Sequence, residues 1–224
     1  MTLILAGAVP GWSLMTIHDM RYNLIPEILT PNISQFSGGF QTRYVGDGDG
    51  VGTVKFGIND RFEVGSKFTW VTTEKLDHMY ALLDLGGKVA LDPARTLQTD
   101  IVLGMNNDNG GGVILTYTQM QSYSKRFSAI LETRLGLLEA ATEGNWAAFE
   151  LGAYPQFHLA QPIYLRIGMA TGTTLRHPVN SFQVDLIPGL QVDVLRYLHV
   201  FAEFAVGIIG NDDVRLALHF ALDF

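Results

Sequence analysis

The chain has 224 residues and a formal net charge of −7, and its 15 basic residues are scattered rather than gathered into a stripe that could neutralise phosphates, so nucleic acid is not an expected partner. Apolar residues make up 47% of the chain and charged residues 17%, below the ~25% usual for a soluble domain, yet no run of about eighteen apolar residues occurs to form a membrane helix. The absence of cysteine excludes disulfides, thiolate metal sites and cysteine nucleophiles.

Residues 1–33 stand apart from the rest of the chain. Thr2 to Val9 is apolar and contains Ala6-Gly7-Ala8, a small-x-small triplet of the kind found at cleavage sites, but no Lys or Arg precedes it. Tyr22 to Pro31 is irregular and carries Pro26 and Pro31. A signal-peptide remnant and a periplasmic or lumenal segment both remain open for this stretch.

From Ser34 to Phe224 the chain divides into about twelve segments of alternating hydrophobicity separated by short turn clusters, which predicts one all-β domain over 34–224, an antiparallel up-and-down β-barrel. Phe36, Gly38, Phe40, Thr42 and Tyr44 open the series, ended by Gly46-Asp47-Gly48-Asp49-Gly50. Val54, Phe56 and Ile58 alternate with Thr53, Lys55 and Gly57; after Asn59-Asp60, Phe62, Val64, Phe68 and Trp70 oppose Arg61, Glu63, Gly65, Lys67 and Thr69, so this pair reads as a hairpin. The fourth segment sets Met79, Leu83, Leu85, Val89 and Leu91 against Tyr80, Asp84 and Lys88, and Asp92-Pro93-Ala94 breaks it. Leu97, Ile101 and Leu103 run into the turn-forming cluster 106–111, and Val113, Leu115 and Tyr117 begin the sixth.

The seventh opposes Leu131, Leu135 and Leu137 to Arg126, Ser128, Glu132 and Arg134. The eighth opposes Leu151, Phe157 and Leu159 to Glu150, Tyr154 and His158; because proline cannot donate to the ladder, Pro155 predicts a bulge or break, and Pro188 repeats it in the tenth. Arg166 in the ninth, Asp185 and Asp193 in the tenth, and His199 and Glu203 in the eleventh occupy the more polar face. Acidic groups dominate segments eight to eleven and basic groups are commoner in two, three and seven, which predicts a transverse field.

The last twelve residues set Val214, Leu216, Leu218, Phe220, Leu222 and Phe224 on one face and Arg215, Ala217, His219, Ala221 and Asp223 on the other. A tilted strand needs ~9–11 residues to cross a bilayer. This stretch resembles the closing strand of bacterial outer-membrane β-barrels of the small porin- or transporter-like kind. In that family a terminal aromatic with apolar residues at alternate positions before it is the assembly signal; Leu218, Phe220, Leu222 and Phe224 match it, whereas the glycine often found upstream is absent, with Ala217 and His219 near its place.

The resemblance implies the outer membrane of a Gram-negative bacterium, contact with outer-membrane lipid and lipopolysaccharide, and the barrel-assembly machinery as a partner in biogenesis. It makes the polar faces lumen walls, with Lys55, Arg61, Glu63, Lys67, Arg126, Glu132, Arg134, Glu150, Arg166, Asp185, Asp193, Glu203, Arg215 and His219 as lining candidates. The function it implies is a narrow channel or transporter for small solutes. The competing class is a structural, adhesion or anchor barrel whose interior charges form a salt-bridged plug without transport.

Neither catalysis nor a cofactor nor a metal is expected. The Gly46–Gly50 cluster lacks the EF-hand acid at its twelfth position, where Ile58 stands. Outer-membrane phospholipases use a His-x-Ser pair, and no histidine here has serine two residues on. Trp12, Trp70, Trp146, Tyr44, Tyr117, Tyr123, Tyr164 and Tyr197 include several at segment ends, which suits interfacial aromatic girdles.

Overall fold

A computed structural model describes residues 34–43, 48–72, 79–104, 111–140, 144–160, 162–175, 182–195, 197–210 and 214–224. The N-terminal segment 1–33 with Trp12, the residue Tyr44 and most of the glycine- and asparagine-rich clusters lie outside the described residues.

Twelve strands succeed one another along the chain: β1 Ser34–Arg43, β2 Gly48–Asn59, β3 Phe62–Thr72, β4 Met79–Asp92, β5 Arg95–Gly104, β6 Gly112–Ser124, β7 Phe127–Ala140, β8 Gly144–Ala160, β9 Ile163–Thr174, β10 Gln183–Leu195, β11 Leu198–Ile209 and β12 Val214–Asp223. Each pairs antiparallel with its neighbours in sequence, and β1 pairs with β12 from Gln35↔Asp223 to Arg43↔Arg215, so the sheet closes into a barrel with no free edge. Beyond the last register pair, Ser34 and Phe224 exchange two backbone hydrogen bonds of 2.8 and 2.9 Å, so the terminal residue completes the seam.

The two ends of the barrel differ. At one end five hairpins, β2–β3, β4–β5, β6–β7, β8–β9 and β10–β11, are joined by links of two residues, and at the other the links are longer. The residue that starts the tight turn explains three of them: Asn59 Oδ1 accepts from the amides of Arg61 (2.8 Å) and Phe62 (3.0 Å), Asp92 Oδ1 from Ala94 (2.9 Å) and Ser124 Oγ from Arg126 (3.2 Å). All five hairpins shift register just before the turn, skipping Ile58, Leu91, Tyr123, Leu159 and Val194. Every skipped residue is apolar or aromatic and exposed, so the bulges form an outward-facing apolar collar at the tight-turn end.

Pro155 and Pro188 do not bulge their strands. Pro155 pairs in register with Ala129 on β7, and on the β9 side the ladder lapses at Tyr154 and Pro155 and resumes at Gln156↔Arg166 in the same register. Pro188 pairs with Ile167 on β9, and the β10–β11 ladder lapses at Ile187 and Pro188 in the same way. The missing N–H removes bonds on one side only, so of the expected bulge or break it is the break that occurs, a gap in otherwise continuous pairing.

The polarity of the wall is inverted relative to a soluble barrel. Among the described residues more than thirty large apolar side chains are exposed, Leu131, Leu137, Ile167, Met169, Leu216 and Phe220 among them, while Thr53, Glu63, Lys88, Thr96, Glu132, Arg166 and Asp185 are buried. An apolar exterior of that extent exceeds by far the few hundred Å² tolerated on a soluble monomer. The arrangement is the one lipid requires, with every strand paired and the alternating apolar residues outside.

Candidate functional site

Register and alternation together place the polar side chains in lateral rows on the inner wall. One row crosses six strands: Glu63↔Lys88↔Gln98↔Thr116↔Arg134↔Glu150, from β3 to β8. Its neighbour is Lys55↔Gly65↔Gly86↔Asp100, from β2 to β5. Ion pairs tie the rows internally: Lys55 Nζ lies 3.7 Å from Glu63 Oε1, and Arg134 Nη2 lies 3.4 Å from Glu132 Oε1. Gln98 Nε2 donates to both oxygens of Asp100, at 3.0 and 2.8 Å. Such groups are tolerable on an inner wall, where opposite charges can pair, whereas on the outside each would face hydrocarbon.

A second row is apolar. Met120↔Ile130↔Tyr154 on β6–β8 and Gly168↔Ile187 on β9–β10 lie at one level, and Ile130, Tyr154, Ile187, Ala170 and Ala205 pack into a cluster. Ile130 and Tyr154 have no exposed surface. The Tyr154 ring covers Gly152 and Gly168, where a Cβ would collide with it. Toward the tight-turn end, the Arg166 guanidinium sits over the Phe201 ring at 5.0 Å, and Phe201 stacks on its cross-strand partner His219 at 6.3 Å. At that mouth, His199 Nδ1 is 2.8 Å from Asp193 Oδ1 and its Nε2 is 3.5 Å from Asp223 Oδ2, while His158 stacks on Tyr164 at 4.6 Å.

The residues expected to line the lumen divide into those on the wall and those in the turns. Lys55, Glu63, Lys67, Glu132, Arg134, Glu150, Arg166, Asp185, Asp193, Glu203 and His219 occupy inner-wall positions in strands and are buried or half-buried. Arg61 and Arg126 do not: both sit in two-residue turns and are exposed, because the strands begin one residue later, at Phe62 and Phe127. Arg215 has the inward register opposite Ala205 and Arg43. Among the described side chains, and leaving aside the Asp92–Arg95 ion pair at the β4–β5 turn, β2–β5 carry three cations (Lys55, Lys67, Lys88) and two carboxylates (Glu63, Asp100). On β7–β12 two cations (Arg134, Arg166) face six carboxylates (Glu132, Glu150, Asp185, Asp193, Glu203, Asp223). The described charges are thus unevenly distributed around the wall, and β7 belongs to the acidic side, since Arg134 is flanked by Glu132 and Glu150. Leu218 and Phe220 face outward on β12, and Phe224 is 69% exposed at its end.

One kind of inner residue escaped the reading of polar faces. Ile114, Ile130, Ile187 and Phe201 are buried on the inner side, whereas Tyr164, on the polar face of the ninth segment with Arg166, stacks on His158 rather than joining a girdle. Only strict parity along each strand, carried through regardless of residue type, would have found the buried apolar ones. Tyr123 and Tyr197 are exposed at the tight-turn end, and Tyr123 stacks on Phe127, which meets Phe157, at 5.3 and 5.0 Å. Among the described residues no group of three or more His, Cys, Asp or Glu could hold a metal ion.

No family model matches the sequence and no curated relative is found for it. Solved structures do match. A KdgM porin superposes with a TM-score of 0.65 at 7% identity, covering 85% of this chain and 99% of that one. An outer-membrane channel from Pseudomonas putida F1 gives 0.66 at 11% identity over 88% of this chain and 97% of that one. A NanC porin gives 0.61 at 10% identity over 84% and 98%. The chain has the fold of a small outer-membrane β-barrel. At these identities the likeness is one of architecture, and the barrel's chemistry has to be read from its own inner wall.

Proposed function

We propose that this barrel is a narrow, cation-preferring diffusion channel for small solutes in the outer membrane of a Gram-negative bacterium. The observation that carries the reading is the charged row from Glu63 to Glu150, which runs ionisable groups along one continuous register row over six of the twelve strands of the inner wall. Charge rings of this kind set solute preference at close quarters. Carboxylates outnumber cations on the described inner wall, eight to five, so the mean field favours cations. One solved neighbour is a KdgM porin in complex with disordered oligogalacturonate. An acid-rich wall argues against such a polyanion as the solute here. No catalytic step is proposed.

The competing reading, a closed structural or anchor barrel, draws support from the apolar row, since Ile130, Tyr154 and Ile187 are almost without exposed surface. Against it, that row lies on β6–β11, whereas the wall from β2 to β5 carries Gly57, Gly65 and Gly86 at inward positions. The apolar row therefore does not run the whole way round the wall. In biogenesis, Leu218, Phe220, Leu222 and Phe224 would present the assembly signal to the barrel-assembly machinery, with the exposed wall meeting lipid and, in the outer leaflet, lipopolysaccharide.

Reconstitution into planar bilayers tests the proposal. Discrete conductance steps with a reversal potential on the potassium side of a potassium chloride gradient are expected. Folded protein that gives no steps would overturn the channel and leave the plugged barrel.

A further inference from the structure

We infer that Asp100 is the residue that sets the ionic preference of this barrel, with Gly86 and Gln98 as its positioning residues; the inference deepens the channel reading and rests on it. Of the carboxylates around the charged row, Glu63, Glu132 and Glu150 are buried, and Asp100 keeps part of its surface exposed. Of these four, Asp100 is the one that solvent reaches.

Its surroundings make its charge count. Lys55 and Asp100 share a row in which only Gly65 and Gly86 stand between them, and a Cβ at Gly86 would collide with the Asp100 carboxylate. The carboxylate therefore lies across Gly86, over the wall rather than along its own strand. Gln98, one inward position away on β5, holds both of its oxygens. From there Asp100 acts electrostatically on Lys55 on one side and on Arg134 on the other. Lys55 and Arg134 each have a second, buried carboxylate close by, Glu63 and Glu132. Asp100 is thus the accessible negative charge between two cationic groups, and removing it takes the local balance from four carboxylates (Glu63, Asp100, Glu132, Glu150) against three cations (Lys55, Lys88, Arg134) to three against three.

Reversal potentials of wild type, Asp100→Asn, Asp100→Glu, Gly86→Ala and Asp60→Asn in planar bilayers test this, after each variant is shown to fold by heat-modifiable mobility. Asp100→Asn is expected to lower the cation-to-anion permeability ratio by roughly 30-fold, about fivefold against the cation and about fivefold in favour of the anion, the Boltzmann factors of a unit charge seen at about 4 Å through water. Asp100→Glu should stay near wild type. Gly86→Ala, which displaces the carboxylate without removing it, should shift the ratio in the same direction by less. Asp60→Asn removes an equal charge from an exposed turn and should change nothing. Should Asp100→Asn fail to fold, Gly86→Ala against wild type carries the test. A conducting wild type whose ratio is unmoved by Asp100→Asn, or moved equally by Asp60→Asn, overturns the assignment while leaving the channel standing. A wild type that does not conduct overturns both.

Discussion

Tyr154 sets how closely β8 and β9 can approach on the inside. Its ring is fully buried and lies over Gly152 on its own strand and Gly168 on the next, positions where any side chain would meet it. A methyl group at Gly168 would also come within 3.1 Å of the Ile187 carbonyl, which cannot retreat. Gly168→Ala should therefore destabilise the barrel by about 1–3 kcal/mol, as overpacking does. Gly52→Ala, with nothing near its added carbon, should stay within about 0.5 kcal/mol. Urea titrations of both variants in detergent or lipid vesicles check the contrast, and equal costs would mean that the ring does not rest on Gly168. The inward phase of Tyr154 was legible in the sequence because Glu150, Gln156 and His158 share its parity. Ile130 and Ile187 were not, since an apolar residue inside an apolar-outside barrel carries no compositional mark.

At the scale of elements, the hairpins repeat one device. Each strand entering a tight turn bulges at an outward apolar residue, from Ile58 to Val194, and the residue after it opens the turn. Asn59, Asp92 and Ser124 announce those turns in the sequence because their side chains can stand in for a backbone acceptor. The register shifts are not legible, since a bulge preserves composition and changes only count. Arg61 and Arg126 were misplaced for that reason: alternation runs on past the point where pairing stops. The closing strand has a sharper test. Phe224 contributes both an exposed aromatic and two seam hydrogen bonds to Ser34. Deleting it should lower the heat-modifiable folded fraction in outer membranes strongly, and Phe224→Ala, which keeps the bonds, should do so nearly as much if the aromatic is what the assembly machinery reads. Asp223→Ala should have little effect. A Phe224→Ala variant that assembles like wild type would reduce the terminal residue to a backbone partner.

For the molecule as a whole, fold and inside-out polarity were legible because a period of two over about twelve segments admits few architectures, and low charge with distributed apolar residues selects lipid over water. What passes through is not written in period or composition; it depends on which inward groups reach the same level, and that is set by register. The acid-rich segments eight to eleven and the more basic two and three were legible, and only the place of β7 on the acidic side emerges once the rows are aligned.

Channel, charge rows and assembly seam all require that the apolar face meets lipid and the polar face encloses the path. Leu131 is 49% exposed on the outer face of β7, and Ser128, three residues nearer the tight turn, is half-buried on the inner face opposite Gln156. The deciding measurement is the folding free energy of Leu131→Arg and Ser128→Arg in lipid vesicles. Leu131→Arg is expected to cost about 2–4 kcal/mol, because no water reaches a charge there, and Ser128→Arg much less, because an inner-wall charge stays hydrated or finds a carboxylate. A larger cost for Ser128→Arg would make the polar face the sealed one and contradict the inverted barrel.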